Sequence, residues 1–162
     1  MRDLAIRVLL VDDEAELVSS LRKRMLRRGF TVVGTLTGED AISAAEHRRF
    51  DVAVVDLKMP GMDGLEVLQS LKAIQPSIQA IVLTGHGSVD AAHQSGRLDA
   101  TRFLLKPADF NQLVESIQQA AEERRRNLRE AYDGELQEII SSYRSPHEIM
   151  EATARLRDKY EQ

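Results

Sequence analysis

Val52-Ala53-Val54-Val55-Asp56, running into Leu57-Lys58-Met59-Pro60-Gly61-Met62-Asp63-Gly64, is the stretch on which the fold turns. Four apolar, mostly β-branched residues read as a buried strand, and the Pro-Gly and Asp-Gly steps mark a loop directly after it. Upstream, Val8-Leu9-Leu10-Val11 finishes the same way, in Asp12-Asp13. Two apolar strands that both end in acids can bring three carboxylates to one edge of a sheet. Bare carboxylates so placed repel one another and call for a divalent cation. That combination points to chemistry on a phosphoryl group. An Asp-Asp pair alone would equally suit a helix N-terminus, where acids favour the macrodipole; Asp56 tips the reading.

Working outward, apolar or β-branched runs recur at 6–11, 30–34, 52–55, 80–83 and 103–105. Helix-period segments lie between them. Leu17, Leu21 and Met25 repeat every four residues, and Gly29 supplies a C-terminal stop. Thr37, Asp63, Ser88 and Asp109 are placed to cap the helices that follow them. Strands alternating with helices imply right-handed crossovers and a parallel sheet. The expected fold is therefore α/β: a doubly wound five-stranded parallel sheet flanked by helices, over residues 1–122. In such sheets ligands meet the C-terminal ends of the strands. Asp12, Asp13, Asp56, Thr84 and Lys106 all fall there.

Past residue 122 the pattern changes, and 123–162 reads as a helical C-terminal extension. Glu122-Glu123-Arg124-Arg125-Arg126 suits a solvated helix face, and Asp133-Gly134 is expected to break the helix. Ser145-Pro146-His147-Glu148 starts another: a Ser cap, Pro at the first position, Glu at the third. Acidic residues outnumber basic ones here, so the extension is not a nucleic-acid arm. The whole chain agrees, with 22 Lys plus Arg against 26 Asp plus Glu. With no cysteine, disulfides and thiolate-bound metals are excluded. No apolar run approaches the ~20 residues of a membrane span. The expectation is a cytoplasmic protein without membrane or direct nucleic-acid partners.

Four blocks carry a resemblance: Val11-Asp12-Asp13-Glu14; Asp56 with Met59-Pro60-Gly61-Met62-Asp63-Gly64; Leu83-Thr84-Gly85; and Phe103-Leu104-Leu105-Lys106-Pro107. In this order and spacing they resemble the receiver domain of two-component response regulators. Residues 83–90 are similar to receivers of sigma-54-dependent activators. The resemblance implies that Asp56 takes a phosphoryl group from a sensor histidine kinase. It implies Mg²⁺ held by Asp12, Asp13, Asp56 and the backbone carbonyl of Lys58. Thr84 and Lys106 would contact the phosphoryl oxygens. Thr84 and Phe103 would form the switch, and the Lys106-Pro107 bond would be cis. The 88–120 face would then change for protein–protein output, with a phosphorelay role sharing every residue.

A phospho-acceptor switch is expected, not an enzyme turning over a separate substrate. An aspartyl-phosphate phosphatase wants a second Asp two residues after its nucleophile, and Lys58 stands there. No P-loop pattern occurs. The amphipathic stripe of the extension suits a downstream protein or a second copy, as a homodimer. The alternative is a receiver fragment of a larger sigma-54-type regulator. Lys58 and His86 flank the site and are expected to set the acyl-phosphate lifetime. His86 and His93 do not make a zinc site.

Overall fold

The computed structural model describes residues 4–85 and 102–161. The expected helix that follows the Ser88 cap, with His86 and His93, lies outside the described residues. Five strands form one sheet: β1 (Arg7–Val11), β2 (Thr31–Thr35), β3 (Val52–Val55), β4 (Gln79–Thr84) and β5 (Arg102–Leu105), in the order β2-β1-β3-β4-β5. Every neighbouring pair is parallel. The described helices are α1 (Ala15–Arg27), α2 (Gly38–His47), α3 (Gly64–Ile74), α4 (Phe110–Ser142) and α5 (Pro146–Tyr160).

Alternation along the strands divides the core into two layers. Val8 and Leu10 of β1, with Val52, Val54, Ile81 and Leu83, pack on Val18, Leu21 and Met25 of α1 and on Leu113, Val114 and Ile117 of α4. Leu9 and Val11, with Ala53, Val55, Ala80 and Val82, face Ala41 and Ala45 of α2 and Val67, Leu68 and Leu71 of α3. Both faces of the sheet are thus covered, which explains the uninterrupted apolar strands.

Local signals set the helix ends. Thr37 Oγ1 accepts from Asp40 N at 3.1 Å, Asp63 Oδ1 from Leu65 N at 3.0 Å, Asp109 Oδ1 from Gln112 N at 3.1 Å, and Ser145 Oγ from Glu148 N at 3.2 Å. Each satisfies an N–H that the helix itself leaves without a partner. After α1 the chain turns through Gly29 at φ +88°, a conformation that other residues rarely adopt. Arg24 stacks over Phe110 with its guanidinium carbon 3.9 Å from the ring centre, tying α1 to the start of α4.

Gln75, at the end of α3, is a buried polar residue that the sequence pattern did not flag. Its Oε1 accepts from Phe50 N at 2.9 Å, and its Nε2 donates to the carbonyls of Ala45 and Arg48 at 2.9 and 2.6 Å. It ties α2, the turn into β3 and α3 together. Gln75→Leu fills similar space but leaves those backbone groups without a partner. It is expected to lower the unfolding free energy by about 2 kcal/mol, read from the urea midpoint of the full chain.

The chain divides into two compact units, Met1–Glu122 and Glu123–Gln162. In the second, the expected break at Asp133-Gly134 does not occur: α4 runs through it without interruption. One glycine inside a helix costs about 1 kcal/mol relative to Ala, and neighbouring contacts offset it. Tyr132 meets Tyr160 edge to face at 5.5 Å, and Glu135 pairs with Lys159 Nζ at 2.7 Å and accepts from Tyr160 Oη. The Glu135 carboxyl is held below its usual range, first by Lys159 and then by Tyr160. Ala152 and Leu156 of α5 are buried, while Ile140, Tyr143 and Met150 stay exposed. No helix among the described residues is long and apolar enough to cross a membrane.

Candidate functional site

The ladder of backbone hydrogen bonds continues one residue beyond several strands, and these extra residues are Asp12, Asp56 and Lys106. Asp12 N donates to Thr35 O at 3.2 Å, Asp56 N to Val11 O at 3.0 Å, and Lys106 N to Thr84 O at 2.9 Å. Each backbone is pinned to a neighbouring strand, so each side chain leaves the sheet edge in a defined direction. Thr84 is the last residue of β4, paired with Leu105.

Asp12, Asp56 and Thr84 are buried, at 3%, 5% and 1% exposure. Asp56 Oδ1 accepts from the Thr84 hydroxyl at 2.8 Å and from the Lys58 N–H at 3.1 Å. Asp56 Oδ2 accepts from Lys106 Nζ at 3.1 Å. Lys106 Nζ also lies 2.7 Å from Asp12 Oδ2 and 3.0 Å from Glu14 Oε1. Asp12 Oδ1 accepts from Glu14 N at 2.9 Å. Carboxylate oxygens of Asp12, Asp13 and Asp56 all fall within 4.8 Å of one another, with Asp13 the exposed member.

Burial pushes the Asp12 carboxyl above its usual range; Lys106 and the Glu14 amide oppose this, and the charge of Asp56 reinforces it. Burial by itself would lower the Lys106 ammonium, but hydrogen bonds to Asp12, Glu14 and Asp56 outweigh it and the pKa is raised. The lysine is therefore firmly charged, yet it does not fully compensate Asp12. A further cation fits this donor set. Three carboxylates in mutual reach are hard oxygen donors of the kind that suit Mg²⁺.

The loop after β3 is held close by two glycines with different tasks. Gly61 adopts φ +82°, with nothing near the position of a Cβ. Gly64 is needed for space. A Cβ there would strike the Asp56 carbonyl oxygen and would sit 2.6 Å from Leu57 Cα. Gly64 N donates to Leu57 O at 3.2 Å, closing the loop so that α3 starts against the backbone of Asp56.

Among the expected residues, Asp12, Asp13, Asp56, Thr84 and Lys106 come together. Lys58 meets Asp56 through its N–H, and its side chain is exposed. Phe103 is half-buried on β5, against the layer that α2 and α3 cover. The Lys106-Pro107 peptide is cis. Glu14 is the addition: in the sequence it stood only as the end of the Val11-Asp12-Asp13-Glu14 block, and nothing nearby pointed to Lys106.

The family profile described as response regulator receiver domain matches residues 8–118. The chain is 31% identical over 115 residues to the transcriptional regulatory protein ZraR of Salmonella typhimurium, covering 71% of this chain and 26% of that protein. It is 33% identical over 129 residues to the C4-dicarboxylate transport transcriptional regulatory protein DctD of Rhizobium meliloti, covering 76% and 28%. A CheY-like receiver domain protein from Methanospirillum hungatei JF-1 superposes with a TM-score of 0.71 at 26% identity, covering 76% of this chain and 99% of that one. The chain spans about a quarter of the length of the two curated relatives.

Proposed function

Because the chain belongs to the response regulator receiver family of two-component signalling, we propose that Asp56 is its phospho-acceptor and that a histidine kinase is the donor. The observation that carries this reading is the environment of one carboxylate. Asp56 is buried, bound by the Thr84 hydroxyl and the Lys106 ammonium, and within reach of Asp12 and Asp13.

In the transfer, an Asp56 carboxylate oxygen attacks phosphorus. The O–P bond forms as the P–N bond to the donor imidazole breaks, and the imidazole leaves with the electron pair. Asp12, Asp13 and Asp56, with the Lys58 carbonyl, would hold Mg²⁺, which when bound screens the charge on the phosphoryl oxygens. Lys106 offers a fixed positive charge to one of those oxygens. Thr84 offers a hydroxyl donor to another, at the cost of its bond to Asp56. The acyl phosphate adds about −1.5 to −2 charges and three acceptor oxygens. Drawing Thr84 and Lys106 toward them biases β4 and β5, with Phe103, toward a second packing. The expected output face, 88–120, lies partly outside the described residues.

The readout is protein–protein contact in the cytoplasm, with a downstream target or a second copy engaged through residues 123–162. The exposed Ile140, Tyr143 and Met150 support that use. The match to about a quarter of ZraR and DctD favours a second reading, as the receiver part of a longer transcription regulator.

Incubation of the full chain with acetyl phosphate and Mg²⁺, then borohydride reduction, converts an aspartyl phosphate to homoserine. Peptide mass spectrometry is expected to find homoserine at position 56. Homoserine at another aspartate, or at none, overturns the assignment.

A further inference from the structure

An ammonium has three N–H donors, and the three donors of Lys106 face three carboxylates: Asp12 at 2.7 Å, Glu14 at 3.0 Å and Asp56 at 3.1 Å. We propose that Glu14 is a positioning residue that restrains phosphoryl transfer by holding Lys106 in its unphosphorylated arrangement. The inference rests on the reading of Asp56 as acceptor.

A phosphoryl oxygen gains a hydrogen bond from Lys106 only when one carboxylate gives way. Asp12 is poorly placed to do so. Its side chain is 4% exposed and its second oxygen already accepts from the Glu14 amide. Asp56 keeps one unmodified oxygen as an acyl phosphate, and that oxygen can go on accepting from Lys106. Glu14 remains. Its side chain is 61% exposed, on a flexible stem. It occupies the N-cap position of α1, yet makes no capping hydrogen bond with its side chain. Its carboxylate is committed instead to a lysine 92 positions away. Once a phosphoryl group is in place, Glu14 and the phosphoryl oxygens are like charges competing for one ammonium. The pair between Glu14 and Lys106 thus stabilises the empty acceptor and is lost on modification.

The test compares initial rates of labelling by acetyl phosphate at subsaturating donor, in Mg²⁺, using the full chain. In that reaction the Asp56 oxygen bonds to phosphorus as the bond to the acetyl oxygen breaks, and acetate departs with the electron pair. Rates are read from the electrophoretic shift of the acyl-phosphorylated chain for wild type, Glu14→Gln, Lys106→Met and the double variant. Glu14→Gln keeps the shape and removes the charge. It is expected to raise the rate about two- to fivefold, the span of a mostly exposed ion pair, and to have no effect once Lys106 is replaced. That dependence on Lys106 is a readout which a merely structural role at the start of α1 would not produce.

An unchanged or slower Glu14→Gln, with wild type still labelled at Asp56, overturns the restraint and leaves the acceptor reading standing. A gain that persists without Lys106 also overturns it, because Glu14 would then act directly on the donor. Absence of labelling at Asp56 in wild type removes the acceptor reading and this inference together.

Discussion

Asp56→Asn is expected to bring labelling by acetyl phosphate down to background while changing the unfolding free energy by no more than about 1 kcal/mol. The two halves of that expectation have separate causes. An amide has no anionic oxygen with which to attack phosphorus, so the chemistry is lost outright. Stability survives because the amide oxygen can keep the hydrogen bonds from Thr84 and the Lys58 N–H, which both go to one carboxylate oxygen. The amide nitrogen would face Lys106 donor against donor, which is unfavourable. Against that, the variant removes one charge from a group of three carboxylates packed within 4.8 Å. Lys106 also keeps Asp12 and Glu14 as partners. Labelling and urea unfolding on one preparation check both halves. Labelling at the wild-type rate, mapped to another residue, would mean that Asp56 is not the nucleophile.

Gly64→Ala is expected to cost more than about 3 kcal/mol, above the usual range for an overpacked site. The usual relief, a side chain rotating aside, does not exist here. The added Cβ meets the carbonyl oxygen of Asp56 and, at 2.6 Å, the Cα of Leu57, and both are backbone atoms. Either α3 retreats from the sheet or the Asp56 backbone shifts against its bond from Asp56 N to Val11 O. Gly61→Ala provides the contrast three residues earlier. Its added methyl meets nothing, and the cost is only that of a left-handed backbone, about 1–2 kcal/mol. Thermal or urea unfolding of the two variants separates them. Equal losses would show that the backbone of Asp56 and Leu57 yields cheaply and that the close approach at Gly64 is not costly to relieve.

Features governed by neighbours in sequence were legible in the chain. Thr37, Asp63, Asp109 and Ser145 act within three residues of themselves, and each caps the helix that its position announces. Strand interiors were legible because both faces are covered, leaving no polar residue inside β3. Strand ends were less so. β4 takes in Gln79 and Thr84 because the ladder bonds backbone to backbone and is indifferent to polar side chains. Asp133-Gly134 misled for a related reason. Helix propensity is a small local cost, and contacts of Tyr132 and Glu135 with α5 offset it. Gln75 and Glu14 were hidden because each acts on residues far along the chain. Their types, an amide and an acid at helix ends, are ordinary on a surface.

Asp56, Thr84 and Lys106 sit at the ends of three different strands, and Lys106 follows the last of them. Its contact with Glu14 bridges 92 positions of sequence. No early portion of the polypeptide therefore contains the whole pocket, and on the reading proposed above a chain still emerging from the ribosome is deaf to its phosphoryl donor. Only when β5 has zipped onto β4 is that pocket whole, so that under the same proposal folding itself licenses the signal.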